Sequence, residues 1–241
     1  MTAAPPGAGK VLVITAHPDD VDFGMAGTIG QWAEAGAEVT YCVVTDGDAG
    51  GFDPSFPRDQ IGPLRQAEQR AAAEVLGVRD VRFLGYPDGR LEVSLALRRD
   101  LARVIRQLRP DRVLTQSPQR NFDRIFASHP DHLAVGEAAL CAVYPDARNP
   151  FTFPELAAEG LEPHVVAEVW LAGGPEPDTF VDVTDQFERK LKALAAHASQ
   201  VAHRDPAQFR ELLLGFGAAT AQRGGLPEGR LAEAFRTLGA G

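Results

Sequence analysis

The segment VLVITAHPDD, residues 11–20, carries the clearest indication of the fold. Its first six residues form a short, unbroken apolar run rich in β-branched side chains, which is typical of a strand buried on both faces of a parallel sheet. A polar segment, residues 17–20, follows directly. Because ligands of α/β sheets bind at the carboxyl ends of the strands, the sequence predicts a functional site at this junction.

Outward from this stretch, the sequence alternates between strand and helix patterns. Strands are predicted over residues 11–16, 38–45, 81–84, 112–116, 165–172 and 179–183. Helices are predicted over residues 24–35, 65–76, 91–108, 131–143 and 187–202, followed by a mostly helical segment from residue 206. This alternation predicts an α/β fold with a largely parallel sheet and helices on both of its faces.

The composition is that of an ordinary globular protein. The 241 residues include 33 Asp and Glu against 24 Lys and Arg, for a formal net charge of −9, and 44% are hydrophobic. A chain of this length can bury one sizeable core, so we expect one domain over residues 1–241, with a core over about 10–203 and a helical tail over 204–241. An acidic chain without a basic run lacks the charges that neutralise phosphates, which argues against nucleic acid as a partner.

Several features of the sequence predict a cytoplasmic location. No segment approaches the roughly 20 apolar residues of a membrane span. The first ten residues, MTAAPPGAGK, do not have the pattern of a secretory signal. Cys42 and Cys141 lie in apolar surroundings, which favours reduced, buried thiols over a disulfide. Assembly into a homo-oligomer stays open.

Two similar motifs follow two of the predicted strands. HPDD at residues 17–20 comes directly after the first strand, and HPDH at residues 129–132 follows the fourth strand and its loop. Proline favours the first position of a helix and carboxylates favour its first turn, so we expect each motif to open a helix at the carboxyl edge of the sheet. Positions i and i+3 share one helix face, so each motif can turn two ligands towards one point.

The side chains of the two motifs indicate a metal ion. Imidazole nitrogen and carboxylate oxygen suit zinc, and a catalytic zinc site uses three protein ligands and leaves a position for water. Two histidines and one carboxylate also suit ferrous iron, so the choice between Zn²⁺ and Fe²⁺ stays open. The alternative is that both HPD turns only cap helices, in which case the chain would be a non-catalytic Rossmann-like binder.

The strings TAHPDDVDFGMAGT, residues 15–28, and SHPDHLAVGEAAL, residues 128–140, resemble the LmbE/PIG-L family of zinc-dependent N-deacetylases. The resemblance runs from residue 11 to about residue 200. It implies a Rossmann-like three-layer sandwich, one zinc ion per chain, and hydrolysis of the acetamide of an N-acetylglucosamine-like sugar or glycoconjugate. An amide within a thiol conjugate or an antibiotic precursor is the alternative small-molecule substrate.

The same resemblance implies the metal ligands and the general base. His17, Asp20 and His132 match the ligands of the family's metal ion. Asp19 matches the general base that takes a proton from the attacking water. This division agrees with the chemistry, because an amide is a poor electrophile and its hydrolysis needs an activated water, a polarised carbonyl and a proton donor.

The remaining roles also come from the resemblance. His129 matches the residue that stabilises the oxyanion or protonates the leaving amine, and Asp131 resembles the carboxylate that orients this imidazole. Arg65 and Asp88 match residues that bind substrate in relatives. The residues alone leave two other interpretations open, since Arg65 could pair with Glu68 one turn later and Asp88 could belong to an ordinary turn.

Two further positions receive no role in the site from the sequence. Many relatives have Glu directly after the first motif, whereas this chain has Val21 and then Asp22, so the sequence gives little support for a role of an acid there. His197 lies in the segment AHASQ, which resembles a recurrent segment of the family. We expect His197 to be a surface or packing histidine.

Overall fold

The computed structural model of the protein describes residues 9–122 and 125–241. Residues 1–8, which belong to the stretch inspected for a secretory signal, and residues 123–124 lie outside the described part. The strands are β1 (Lys10–Thr15), β2 (Glu38–Thr45), β3 (Asp80–Tyr86), β4 (Arg112–Gln116), β5 (Glu168–Ala172), β6 (Thr179–Asp182) and β7 (Ala232–Gly239).

The helices occupy the connections between these strands. They are α1 (Asp20–Gly24), α2 (Ala26–Glu34), α3 (Arg58–Val75), α4 (Leu95–Leu108), α5 (Pro130–Cys141), α6 (Pro154–Ala158), α7 (Phe187–Ala195), α8 (Ala198–Val201) and α9 (Pro206–Arg223). Shorter turns of 3₁₀ or π type cover Ile125–Ala127, Ala142–Asp146 and Thr184–Gln186.

The described strands form one sheet in the order β3-β2-β1-β4-β5-β7-β6. Neighbours from β3 to β5 are parallel, and β7 runs antiparallel to both β5 and β6. The chain moves outward from β1 to β3 and then returns to place β4 on the other side of β1. The strand order therefore reverses between β1 and β4, which is where α/β sheets bind ligands. The predicted α/β fold with a mainly parallel sheet is confirmed.

The side chains of β1 divide between two cores on the two faces of the sheet. Val11 and Val13 belong to a core with α2, α3 and α7, whereas Leu12 and Ile14 belong to a core with α4 and α5. Successive residues of a strand point to opposite faces, so a strand covered on both sides must be apolar at every position. This arrangement explains the unbroken apolar run and produces three layers.

The largest differences from the predicted elements occur in three places. Helix α3 begins at Arg58 rather than at residue 65 and continues through Pro63. The predicted helix 187–202 is divided into α7 and α8 around His197. The prediction of a helical tail over residues 204–241 is wrong for β7, because pairing with β5 and β6 outweighs the helix-forming alanines and glutamate at its start. The single-domain organisation stays a prediction.

Helix α5 lies very close to the end of β4. A Cβ atom on Gly136 would come within 2.9 Å of the Pro118 nitrogen and 3.0 Å of the Ser117 carbonyl carbon, and closer still to the Gln116 oxygen. Only glycine allows this approach. Because His132 lies one turn earlier on the same helix face, the contact fixes its distance from the sheet edge.

Among the helices within residues 9–122 and 125–241, none combines the length and the apolar character needed to cross a membrane.

Candidate active site

The first motif leaves β1 through a strained turn. Asp19 has φ 94° and ψ −26°, a left-handed conformation that costs a residue with a side chain on the order of 1–3 kcal/mol. The turn is closed by Asp20, whose Oδ2 accepts a hydrogen bond from the His17 N–H at 2.7 Å. Helix α1 then begins at Asp20, so the motif opens a helix as predicted, but Pro18 does not occupy its first position.

The second motif has the regular geometry of a helix start. Pro130 is the first residue of α5, as predicted, and His129 is the capping residue before it. The His129 Nδ1 atom accepts a hydrogen bond from the Asp131 N–H at 3.2 Å. The cap satisfies one of the free N–H groups that every helix has at its amino-terminal end.

The two motifs bring three predicted metal ligands to one point. His17 Nδ1 lies 3.2 Å from His132 Nε2 and 3.4 Å from Asp20 Oδ2, and His132 Nε2 lies 2.9 Å from Asp20 Oδ1. Ligand atoms of a tetrahedral zinc site, with bonds of 2.0–2.1 Å, are separated by roughly 3.3 Å. The donor atoms and their spacing therefore fit a metal ion such as zinc.

The other nitrogen of the His17 ring faces two carboxylates. His17 Nε2 lies 3.0 Å from Asp88 Oδ1 and 3.2 Å from Asp131 Oδ2. A carboxylate that accepts the proton of one ring nitrogen fixes the tautomer and leaves the lone pair of the other nitrogen for a metal. The structure thus places Asp88, which we predicted to bind substrate, directly behind a predicted metal ligand. Direct contact of Asp88 with substrate stays a prediction.

The structure corrects the expected contact of Asp131. The sequence resemblance paired its carboxylate with the His129 ring, but the carboxylate lies against His17, and its backbone N–H meets His129. The same carboxylate accepts hydrogen bonds from the N–H groups of Gly89, at 2.7 Å, and Leu91, at 3.2 Å. The loop after β3 supplies these donors, and a sequence motif cannot reveal them.

Arg65 was also predicted to bind substrate, and the structure places it against Asp19, the predicted general base. Its buried guanidinium donates to the carbonyl oxygens of Gly47, at 2.9 Å, and Pro18, at 2.6 Å, and to Asp19 Oδ2 at 3.2 Å. The alternative pairing with Glu68 is wrong, because Glu68 instead accepts hydrogen bonds from α8. Substrate binding by Arg65 stays a prediction.

The charges around the three ligands favour a cation. Burial alone would lower the pKa of His17, but the charge of Asp20 and hydrogen bonds to Asp131, Asp20 and Asp88 raise it to about 12. Burial would raise the pKa of Asp20, yet His132 and His17 hold it well below its ordinary value. A site that stabilises a proton so strongly also stabilises a metal dication in its place.

Asp19 differs from the ligands in its titration. Burial raises the pKa of Asp19, Arg65 opposes this change, and the charge of Asp20 adds to it, so that the pKa reaches about 7. A carboxylate with a pKa near neutrality can both accept and release a proton at the pH at which most enzymes work. The electrostatics therefore agree with the predicted role of general base.

His129 completes the group around the ligands. Its ring centre lies 4.8 Å from that of His17 and 5.4 Å from that of His132. Burial lowers the pKa of His129, and the charges of His17 and His132 lower it further. Because Nδ1 accepts the Asp131 N–H, the neutral ring carries its proton on Nε2.

Three buried residues, Gln69, Asp22 and His197, lie next to the first motif, and nothing in the sequence indicated Gln69. Gln69 Oε1 accepts a hydrogen bond from the Asp19 N–H at 2.8 Å, and Gln69 Nε2 donates to Asp22 Oδ2 at 2.8 Å. His197 Nε2 lies 2.8 Å from the same Asp22 oxygen, and both side chains are fully buried. Asp22, for which the sequence gives little support for a role, thus contacts Gln69, and His197 is a buried, hydrogen-bonded histidine.

A cleft of about 640 Å³ opens beside the ligands. Asp20 and His132 lie on its wall, and the aromatic side chains of Phe23, Phe209 and Phe216 line it further out, where α9 covers the sheet. Ligand sites of this size combine apolar walls with a few polar groups that fix orientation. The cleft can hold a small molecule much larger than an acetyl group.

Fold and site together define a Rossmann-like α/β protein with a His and Asp group able to hold a metal ion where the strand order reverses. The family comparison gives the class a name. Residues 12–143, which contain both motifs, match the family PIG-L, described as GlcNAc-PI de-N-acetylase. The chain belongs to this family.

Relatives with established names agree. The chain is 35% identical to the diacetylchitobiose deacetylase of Thermococcus kodakarensis, over 79% of this chain and 70% of the relative. It is 34% identical to a probable N-acetyl-alpha-D-glucosaminyl L-malate deacetylase 2 of Bacillus anthracis, over 80% and 81% of the two chains. The solved structure of N,N'-diacetylchitobiose deacetylase from Pyrococcus horikoshii has a TM-score of 0.87 at 32% identity, covering 96% of this chain and 84% of that one.

Proposed function

We propose that this protein is a metal-dependent N-deacetylase that hydrolyses the acetamide of an N-acetylglucosamine-like sugar or glycoconjugate. The observation that carries the proposal is the convergence of His17, Asp20 and His132 on one point, with Asp19 and His129 beside them. The names of the relatives support the sugar substrate. One Zn²⁺ per chain is the proposed cofactor, with Fe²⁺ as the alternative.

The chain's own residues divide the reaction between them. A cation held by His17, Asp20 and His132 would polarise the amide carbonyl and would lower the pKa of the attacking water towards neutrality. Asp19 accepts the proton of the attacking water, because burial raises the pKa of its carboxyl and so makes the carboxylate a stronger base than an exposed aspartate. His129 carries its proton on Nε2 and can donate a hydrogen bond to the carbonyl oxygen as charge develops there. The proton that Asp19 takes from the water can then pass to the leaving amine.

Asp88 and Asp131 act behind this group. They accept the Nε2 proton of His17, so that its Nδ1 lone pair faces His132 and Asp20. Such carboxylates typically change metal affinity by a factor of 10–100 when they are lost. Their proposed role is therefore to orient a ligand and not to react.

The cleft supports a second candidate substrate within the same chemistry. At about 640 Å³ it exceeds what an acetamido sugar needs, so an amide within a thiol conjugate or an antibiotic precursor could also enter. Release of acetate or a longer acid from a panel of N-acyl compounds separates the two candidates.

A cytoplasmic location and a homo-oligomeric assembly remain proposals. The location is supported by the two cysteines, since neither Cys42 nor Cys141 forms a disulfide in the described chain. Disulfides are rare in reducing compartments.

The test of the proposed function measures metal content and acetate release on the same preparations. The purified chain should hold close to one divalent metal ion and release acetate from N-acetylated glucosamine compounds. The variant His132→Ala should lose most of the metal and the activity. His203→Ala is the matched control, because His203 is exposed and lies against Phe52, outside the ligand group.

Two results would contradict the proposal. Full metal content in His132→Ala would reject the ligand assignment. A metal-loaded chain that releases no acid from any N-acyl substrate would favour the non-catalytic binder instead.

A further inference from the structure

Helix α3 holds the peptide bond that precedes the general base. Arg65 donates to the Pro18 carbonyl oxygen at 2.6 Å, and Gln69 accepts the Asp19 N–H at 2.8 Å. Both side chains therefore hydrogen-bond to one peptide group, Pro18–Asp19, Arg65 to its carbonyl oxygen and Gln69 to its N–H. They can do so because positions i and i+4 lie on the same face of a helix.

These two hydrogen bonds hold the backbone at Asp19, which has a strained conformation. Asp19 has a φ of 94°, which residues with a side chain adopt only when their surroundings impose it. A change of φ at Asp19 would swing the carboxylate about the backbone and move it relative to Asp20. The hydrogen bond to Gln69 therefore helps to determine the position of the Asp19 carboxylate.

The Gln69 side chain is itself fixed in one orientation. The Asp19 N–H can only donate, so Gln69 Oε1 must face it, and Gln69 Nε2 is then left to donate to Asp22 Oδ2. His197 Nε2 lies 2.8 Å from the same Asp22 oxygen. Gln69, Asp22 and His197 are all fully buried, so water does not compete for these contacts.

The network is poorly explained by stability alone. Asp22 Oδ1 and His197 Nδ1 are buried and have no hydrogen-bond partner among the described residues. Leaving buried polar atoms unpaired costs stability. Local costs of this kind concentrate at sites where geometry serves function.

We infer that Gln69, held by Asp22 and His197, is a positioning residue that keeps the base Asp19 in its strained, productive conformation. This inference rests on the proposed deacetylase function, because it assigns the network to the base of that reaction. It also gives Asp22 and His197 a role behind Gln69, without contact to substrate.

The first experiment replaces Gln69 by an apolar side chain of similar shape. Gln69→Met removes both hydrogen bonds but keeps most of the buried volume. We expect kcat per metal-loaded enzyme to fall roughly 10- to 100-fold, because a misplacement of about 1 Å can cost that much. KM and metal content should not change. Gln66→Ala, one turn earlier on α3 and hydrogen-bonded to Asp46, is the control and should retain kcat.

A second, double variant exchanges the amide of Gln69 with the carboxylate of Asp22 and keeps the hydrogen bonds between them and the Asp19 N–H. In Gln69→Glu combined with Asp22→Asn, the new carboxylate accepts from the Asp19 N–H and from the new amide. That amide can also donate to His197, whose Nδ1 can take the ring proton. We expect this double variant to keep kcat within about threefold of the wild type. If Gln69→Met does not fold, the double variant decides, and a loss of kcat similar to that of Asp19→Asn overturns the inference.

A structural readout does not depend on activity. A crystal structure of Gln69→Met should show Asp19 outside its left-handed conformation or with its carboxylate displaced. An unchanged Asp19, or an unchanged kcat in Gln69→Met, overturns the inference while the wild-type enzyme remains a deacetylase. An inactive, metal-loaded wild type would reject the proposed function, and the conformation of Asp19 in the variant would still decide the role of Gln69.

Discussion

The two His-Pro-Asp motifs share three residues, but their aspartates have opposite properties. Asp19 lies in a strained turn, its side chain is 15% exposed, and burial with the charge of Asp20 raises its pKa to about 7 despite Arg65. Asp131 lies in a regular first turn with a side chain that is 1% exposed. Burial would raise the pKa of Asp131, but hydrogen bonds from His17, Gly89 and Leu91 lower it.

The three-residue motif therefore does not determine the pKa of its aspartate. A buried carboxylate stays ionised when several N–H groups donate to it, and it becomes basic near neutral pH when burial is less well compensated. Asp131 meets donors from the loop after β3, whereas Asp19 meets one guanidinium. Each aspartate takes its role from elements that are distant in sequence.

Of the substitutions in the two motifs, Asp19→Asn should have the largest effect on activity. We expect kcat to fall roughly 10²- to 10⁴-fold, the usual contribution of a general base, while the metal content stays unchanged. Added zinc should restore nothing. Steady-state kinetics and metal analysis of the same preparation check this result, and a loss of metal would mean that Asp19 is a ligand.

The matched substitution Asp131→Asn should act on the metal instead. The new amide cannot accept all three hydrogen bonds, so the His17 Nε2 proton loses part of its partner. We expect metal affinity to fall roughly 10- to 100-fold and activity to return in part with excess zinc. Competition with a chelator measures the affinity. If Asp131→Asn kept its metal and lost as much kcat as Asp19→Asn, the two aspartates would share one role.

The smallest expected effect concerns the regular geometry of the second motif. Gly136→Ala places a Cβ against the backbone of residues 116–118, so α5 must move away from β4. We expect a loss of roughly 1–3 kcal/mol in the free energy of unfolding, as for other overpacked sites, together with a weaker contribution of His132 to metal binding.

Gly215→Ala is the control for this substitution. Gly215 lies in α9, and a Cβ there would meet no atom within 4 Å. Alanine should stabilise that helix by up to about 1 kcal/mol. Thermal unfolding compares the two variants, and equal stability of both would show that α5 tolerates displacement.

Much of the fold and of the ligand group follows from the sequence. The apolar run before His17 predicts a buried parallel strand, and the rule for the carboxyl ends of strands then predicts that His17 and His132 meet. Family resemblance adds Asp19 and Asp20 as base and ligand, and the structure places both beside these histidines. The positions of these residues could be predicted because each is local to a strand end or a helix start.

The parts that were not predicted depend on contacts between distant segments. Gln69 and His197 lie 50 residues from Asp19 and 175 residues from Asp22, respectively, and no periodic pattern connects them. The left-handed φ of Asp19 is likewise imposed by α3, since aspartate does not require it. Strand β7 was missed for the same reason, because its pairing with β5 and β6 overrides local propensity.

The position of β7 near the end of the chain suggests that the protein could be divided into two fragments that reassemble. The segment 224–231 before it is largely exposed, and β7 fills a gap between β5 and β6, where Glu233 accepts hydrogen bonds from the first N–H groups of α2. A chain cleaved in that segment would lack the strand that joins β6 to the sheet, and a peptide corresponding to β7 could restore it by strand complementation. Recovery of amide hydrolysis would then measure the association of the two fragments. The hydrogen bonds between Glu233 and α2 would fix the register of the added strand.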